Sequence, residues 1–365
     1  MRDLTARQTW IDYARGISII LVLYRHVFEG LKNSGLNVAP FIELEHANIL
    51  FFSFRMPLFF IVSGIFVAGS LEKRGLKLFI DNKWRTILYP YFLWGIIQIT
   101  LQIFLSGYVN SSRTAFDYLY LFYQPREIEQ FWYLYALFNV SVIYACSKIL
   151  LKLSAIQNAI IGLLFIYISA YCGKNQINIG FLSDVLHYYF FYAVGDFAGK
   201  FIRNKENLKK LYSLKMVLIL LIPFIVSQVY YLNQNLTYSP GTYDHVENFQ
   251  PYIFILIAII GCAFVISVCF QLQKHNTLKW LHHLGRHSLY IYVAHVIVLA
   301  ATRMVMVKFF HISNIPVLLI TGIITGLLIP VLLYKLSEKY NFHMLFTLDR
   351  NHQNIKKTAA LAEAK

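Results

Sequence analysis

The sequence predicts an all-α integral membrane protein, a bundle of about ten transmembrane helices with both termini cytoplasmic. Three observations carry this. Of the 365 residues, 58% are hydrophobic and 14% charged, with a mean hydropathy of +0.53, whereas a soluble domain is about 45–50% apolar and about 25% charged. The apolar residues gather into ten low-charge runs near the ~20 residues that cross a bilayer as helix. They are too long for the ~10-residue alternating strands of a membrane barrel. Finally, with the N-terminus inside, 24 of the 33 Lys and Arg fall in inner segments and 5 in outer loops. The remaining four (Arg15, Arg25, Arg55, Arg303) lie within spans. This positive-inside bias fixes an even number of spans. It also accounts for the net charge of +15, so the expected partners are membrane lipids and not nucleic acid.

Taken in order, the first run (11–31) contains Arg15, Arg25 and His26 with no small-residue cleavage site after it. It therefore reads as a span and not a cleaved signal. The second (49–70) is FFSFRMPLFFIVSG, loosened by Pro57 and Gly64, as membrane spans tolerate. The third (86–106) follows the basic stretch DNKWRTILYPYFLW. The runs at 130–151, 156–172 and 181–200 follow; the second is short and the third carries Asp184, His187 and Asp196. Four more lie at 216–232, 251–272, 287–307 and 315–334. Residues 1–340 thus form one membrane domain, and 341–365, ending KKTAALAEAK, a cytoplasmic tail of frayed helix or coil. The four cysteines lie in apolar stretches without CxxC spacing and read as buried thiols, with no metal site.

Ionisable residues inside spans cost a few kcal/mol each and mark functional positions. At 100° per residue, Asp12, Arg15, Val22, His26 and Glu29 form one stripe of the first span. His26 is the candidate general base, and Glu29, three residues on, its carboxylate partner. The plainer alternative makes Asp12 and Arg15 interfacial anchors and His26 a packing residue. Arg55 enters about six residues from the outer end of its span, level with His26 if the two helices are antiparallel neighbours. There it can meet an anion or a developing oxyanion, or snorkel outwards. Lys83 and Arg85 at the inner surface can grip the phosphates of a nucleotide-like cofactor, or simply satisfy the charge bias. His295 falls near mid-membrane, while His187 reads as a histidine bonded to a neighbouring helix.

These segments together resemble membrane acyltransferase family 3, the multi-span O-acyltransferases of bacterial carbohydrates. The matching residues are D-x-x-R-G (Asp12, Arg15, Gly16) with His26, and M-P-L-F-F-I-V-S-G (Met56 to Gly64). Further on come Arg85 with Pro90 and Tyr91, F-W-Y-L-Y-A-L (Phe131 to Leu137), and L-G-x-x-S-x-x-x-Y-x-x-H (Leu284 to His295). They run in family order over roughly residues 5–300, and the R-H-V-x-x-G-L ending of the first span is similar to the fucose 4-O-acetylase-like branch.

The resemblance implies a bacterial inner-membrane enzyme that moves an acyl group, usually from acetyl-CoA, to a hydroxyl of a carbohydrate or lipid-linked saccharide. The family's first-span histidine and arginine correspond to His26 and Arg15, and Arg15 with Lys83 and Arg85 would meet the CoA phosphates. The family's Arg-x-x-Arg before the third span is only partly kept, with Asn82 at its first position and Lys83 beside it. Some relatives carry a fused extracytoplasmic esterase domain, for which this chain has no room. Acyl transfer needs a base near neutral pKa and an oxyanion stabiliser; His26 supplies the first, and Arg55 or His295 the second. A covalent acyl-enzyme ranks lower, because no Ser-His-Asp order marks a nucleophile. The rival class is a transporter or flippase of a lipid-linked saccharide, but the inverted repeats and matching broken helices common in transporters are not seen.

Overall fold

The computed structural model describes residues 9–106 and 113–348. Each of the ten apolar runs is helical. The first is α1 (Trp10–Lys32). The second is broken at Phe51 into α2 (Ile42–Leu50) and α3 (Phe52–Gly64). An additional polar helix, α4 (Val67–Lys83), kinks at Gly75, whose φ of 70° suits a residue without Cβ. A π-helical turn at Trp84–Leu88 then leads into α5 (Tyr89–Phe104). After the short α6 (Tyr120–Tyr123) come α7 (Trp132–Ile149), α8 (Ala155–Lys174) and α9 (Leu182–Arg203). The short α10 (Lys205–Leu211) and α12 (His245–Phe249) flank α11 (Leu214–Tyr238). The chain continues through α13 (Pro251–His275), α14 (Lys279–Arg286), α15 (Ser288–Met304) and α16 (Ile315–Lys339). Among the described residues there are no strands.

Among the described residues, seven stretches are long and apolar enough to cross a membrane: Ala39–Gly64, Val67–Phe104, Ala155–Lys174, Leu214–Tyr238, Pro251–His275, Ser288–Phe309 and Ile315–Lys339. The protein is a multi-pass membrane protein. Three helices anticipated as spans, α1, α7 and α9, fall outside this set. Two of them are the polar ones, α1 with Asp12, Arg15, Arg25, His26 and Glu29, and α9 with Asp184, His187 and Asp196. They are also the interior ones. α1 packs on α3, α13, α14, α15 and α16, and α9 on α3, α7 and α8. The rim is apolar instead: α11 presents Leu218, Ile222 and Val226 outwards, Ile222 with 70% of its surface exposed. Polar side chains thus face protein and apolar ones face lipid.

Glycines allow the two closest crossings. A Cβ on Gly64 would sit 2.1 Å from the Tyr192 carbonyl oxygen, and one on Gly195 2.2 Å from that of Ile61, so α3 and α9 meet backbone to backbone. Likewise a Cβ on Gly285 would sit 1.6 Å from the Asp12 carbonyl oxygen, which seats α14 against the N-terminal end of α1.

The expected tail begins later than residue 341. Phe346 is fully buried against Trp94, Tyr290 and Tyr334, and the Trp94 indole donates to the Leu345 carbonyl at 2.7 Å. An aromatic side chain with so much apolar area docks when a groove is offered. The rest of the tail, 349–365, and the N-terminal Arg2 and Arg7 lie outside the described residues.

Candidate active site

The C-terminal parts of α1, α5 and α15 and the N-terminal part of α3, with the segment Pro125–Phe131, enclose a cavity of about 370 Å³. Val22, His26 and Glu29, one stripe of α1 by helical spacing, all line it, and so does Arg55. The sequence expectation that α3 brings Arg55 level with His26 therefore matches the geometry. Its Nη1 also donates to the Leu21 carbonyl of α1 at 3.2 Å.

Arg55 is 1% exposed. One nitrogen, Nη1, also reaches Asn48 Oδ1 at 3.4 Å, and the guanidinium lies 5.0 Å from the Phe52 ring centre. Its Nε and Nη2 have no hydrogen-bond partner among the described residues. It does not snorkel. A buried guanidinium with two unused donors at a cavity is arranged for an anion, because leaving such donors unpaired is costly otherwise.

His26 packs against His295 of α15, ring centres 5.1 Å apart. His295 is fully buried, and its Nδ1 lies 2.7 Å from the Tyr292 carbonyl and 3.1 Å from that of Ile291. Carbonyls only accept, so Nδ1 carries the proton and a neutral ring keeps a lone pair on Nε2. This corrects one expectation. A neutral His295 of this tautomer packs against His26 with Nε2 unbonded among the described residues and has no ring N–H free to donate to an oxyanion.

Glu29 brings a second correction. Its Oε1 is 2.7 Å from Arg25 Nε, one turn back, and no contact joins it to His26. The i,i+4 spacing and the long guanidinium arm favour that pair over the i+3 imidazole. Arg25, without a role in the sequence reading, thereby neutralises Glu29 and lies 5.0 Å from the other contact of Arg55, the Phe52 ring.

At the N-terminal end of α1, Asp12 Oδ2 lies 3.1 Å from His282 Nε2 of α14 and 3.9 Å from Arg286. Lys83 feels the positive charges of Arg15 and Arg74, so these three cations gather on that side. Arg85, two residues on from Lys83, leaves the opposite side of the turn and pairs with Asp81 at 2.8 Å. The expected phosphate grip thus includes a guanidinium already paired with a carboxylate. His187 lies away from the cavity between Tyr188 and Phe254, its Nε2 without a partner among the described residues.

Two cavity residues escaped the sequence reading. Arg126 binds buried Asp184 through both Nε (2.9 Å) and Nη2 (2.6 Å) and covers Trp132 at 4.6 Å. Glu129 takes φ 52°, ψ −119°, rarely adopted without glycine, and accepts from Gln102 Nε2 at 3.1 Å. The signal available was Pro125 followed by the charged R-E-I-E just before the F-W-Y motif, which counting charges by loop had filed as an outer loop. Among the described residues no group of three His, Cys, Asp or Glu is placed to hold a metal ion.

In comparisons with known proteins, a family model described as an acyltransferase domain, that of acyltransferase family 3, matches residues 8–335. No curated protein and no solved structure matches the chain.

Proposed function

The chain belongs to acyltransferase family 3, and we propose that it is an O-acyltransferase of the bacterial cytoplasmic membrane. In this proposal it moves an acetyl group from acetyl-CoA to a hydroxyl of a cell-surface or exopolysaccharide sugar or its lipid-linked precursor. That it is an acyltransferase follows from the family and sets aside the flippase reading. The observation that carries the rest is that His26 and Arg55 line one cavity, with His295 packed against His26.

The acceptor oxygen attacks the thioester carbonyl as His26 takes the hydroxyl proton. The lone pair of His295 Nε2, unbonded among the described residues, is offered to the imidazolium of His26 as the charge forms, the part first expected of Glu29. Negative charge collects on the carbonyl oxygen, where Arg55 Nε and Nη2 donate. Collapse breaks the carbon–sulfur bond, and the thiolate of CoA leaves with the proton from His26.

The proposal includes ten spans with both termini cytoplasmic, supported by the charge bias and by the helicity of all ten runs. The CoA phosphates then rest at Arg15 and Lys83 on the inner side. Eleven residues of α1 separate Arg15 from His26, ~16 Å along the axis, a distance an extended pantetheine arm covers. The apolar interior keeps water from the thioester.

The test is acetyl-CoA cleavage by the protein in lipid nanodiscs, with and without saccharide, beside mass spectrometry of cell polysaccharides from strains with and without it. Cleavage coupled to a new sugar ester is expected. An intact donor and unchanged polysaccharide esters would overturn the reading.

A further inference from the structure

Glu129 stands apart from the groups assigned to the acyl-transfer step. Its backbone is held in a conformation that costs on the order of 1–3 kcal/mol, and such strain persists where surrounding structure imposes it. Here the imposition is visible. The Tyr292 hydroxyl of α15 donates to the Gln130 carbonyl, and Gln130 Nε2 donates to Gln98 Oε1 of α5 at 2.8 Å. The segment is thus pinned from two sides, and the result turns the Glu129 carboxylate to the cavity that His26 lines.

That carboxylate is held by neutral donors. Gln102 Nε2 reaches Oε1 at 3.1 Å and Gln98 Nε2 reaches Oε2 at 3.4 Å. Gln102 is itself oriented by Arg113, which donates to its Oε1 at 3.3 Å. A carboxylate has about four acceptor positions, and one amide on each oxygen leaves one position on each for a ligand. Two acceptor sites side by side on a fixed plane suit two neighbouring hydroxyls. Recognition here rests on hydrogen bonds and not on ring stacking, because Arg126 and Tyr188 both already pack on Trp132, the adjacent aromatic.

We infer that Glu129, oriented by Gln98 and Gln102, is the acceptor subsite, and that it takes a neutral ring bearing a hydroxyl next to the one acylated. The inference rests on the acyl-transfer reading above: one hydroxyl is delivered to His26 while its neighbours bind Glu129.

The experiment uses the full chain in nanodiscs with acetyl-CoA, a panel of methyl hexopyranosides, their singly deoxygenated analogues, and cyclohexanol. For Glu129→Gln the KM for the preferred pyranoside should rise about tenfold or more, the loss of charge-assisted hydrogen bonds. Its kcat and the KM for acetyl-CoA should stay within about threefold. Glu129→Asp, which keeps the charge, should recover part of the affinity. An analogue lacking the neighbouring hydroxyl should bind the wild type more weakly and the Gln variant no more weakly than its parent does. Unchanged pyranoside kinetics in Glu129→Gln would overturn the assignment. So would a joint fall in donor cleavage and thermal midpoint, which marks a structural role. Donor cleavage by the wild type with no transfer to any pyranoside also overturns it. Failure of the wild type to cleave acetyl-CoA at all would instead strike the acyl-transfer reading.

Discussion

Two clusters of buried charge in this molecule meet the same penalty in opposite ways. Between α7 and α9, Asp196 is fully buried, and its Oδ2 accepts from the Tyr144 hydroxyl at 2.8 Å and from the Lys148 ammonium. One turn away, Ser147, Asn158 and Tyr189 close a second set of hydrogen bonds. None of these side chains lines the cavity. At the cavity, by contrast, Arg55 keeps Nε and Nη2 unbonded among the described residues. An ionisable residue inside a span is therefore not yet a site. The α7–α9 cluster pairs its carboxylate with a cation of the protein, although Asp196 Oδ1 keeps no hydrogen bond among the described residues, whereas Arg55 at the cavity has no carboxylate in contact and two donors left for something that enters.

The comparison breaks most easily at His26. Replacement by Ala should lower acetyl transfer by about 10²–10⁴-fold, the usual loss of a general base, with expression and membrane insertion near normal. Turnover at the wild-type rate, followed with labelled acetyl-CoA in membranes, would remove the base from the scheme.

Arg55 and Asp196 form a reciprocal pair of tests. Arg55→Gln should lower kcat about 10²–10³-fold, as for removal of an oxyanion donor. The thermal midpoint should hold or rise, because a buried charge lacking a carboxylate is removed. Asp196→Ala should do the reverse. It strands Lys148 and destabilises by on the order of 3 kcal/mol, read as a lower midpoint in detergent, while the surviving folded protein keeps its KM values. If the two variants behaved alike, the division drawn between the clusters would fail.

Much of this was legible in the sequence because the bilayer makes it so. The ten apolar runs are all helical, seven of them overlapping stretches long and apolar enough to span, and helical spacing put Val22, His26 and Glu29 on one face. What escaped depends on choices that spacing does not rank. Glu29 sits three residues from His26 and four from Arg25, and only side-chain reach decides between them. The proton of His295 is set by two carbonyls of its own helix, a choice of side-chain rotamer with no trace in the residue string. The Pro125–Phe131 segment has too few residues to show a period, so its delivery of Arg126 and Glu129 was hidden among loop charges.

A smaller effect separates the two basic residues at the inner surface. Lys83→Ala should raise the KM for acetyl-CoA several-fold with kcat little changed. Arg85→Ala should do less, since its guanidinium is engaged with Asp81. Steady-state kinetics with acetyl-CoA and with a truncated donor lacking the nucleotide phosphates checks both. A larger effect at Arg85 than at Lys83 would restore the pairing first expected from the sequence.

The smallest expected effect lies at Glu247 in α12, outside the spans, and extends the comparison to a third way of answering a buried charge. Asp196 has a cation in hydrogen-bonding contact. Glu247 has a single hydroxyl, that of Tyr231 at 3.4 Å, and feels the charges of Arg126, Asp244 and Arg25 from further off. Burial therefore prevails over the attraction of Arg126 and pushes its carboxyl up to about 7 from the ordinary 4.5. The sign follows from proton counting. Between those values the folded protein holds a proton that the unfolded chain has released, so raising the pH favours unfolding. The stabilisation is complete below about 4.5 and is lost as the pH rises through 7. Glu247→Gln cannot ionise and should lack this contribution. The thermal midpoint of the wild type should accordingly fall relative to that of the Gln variant between pH 5 and pH 8. A constant difference across that window would mean that Glu247 is ionised in the folded protein throughout, held by Arg126 as Asp196 is held by Lys148.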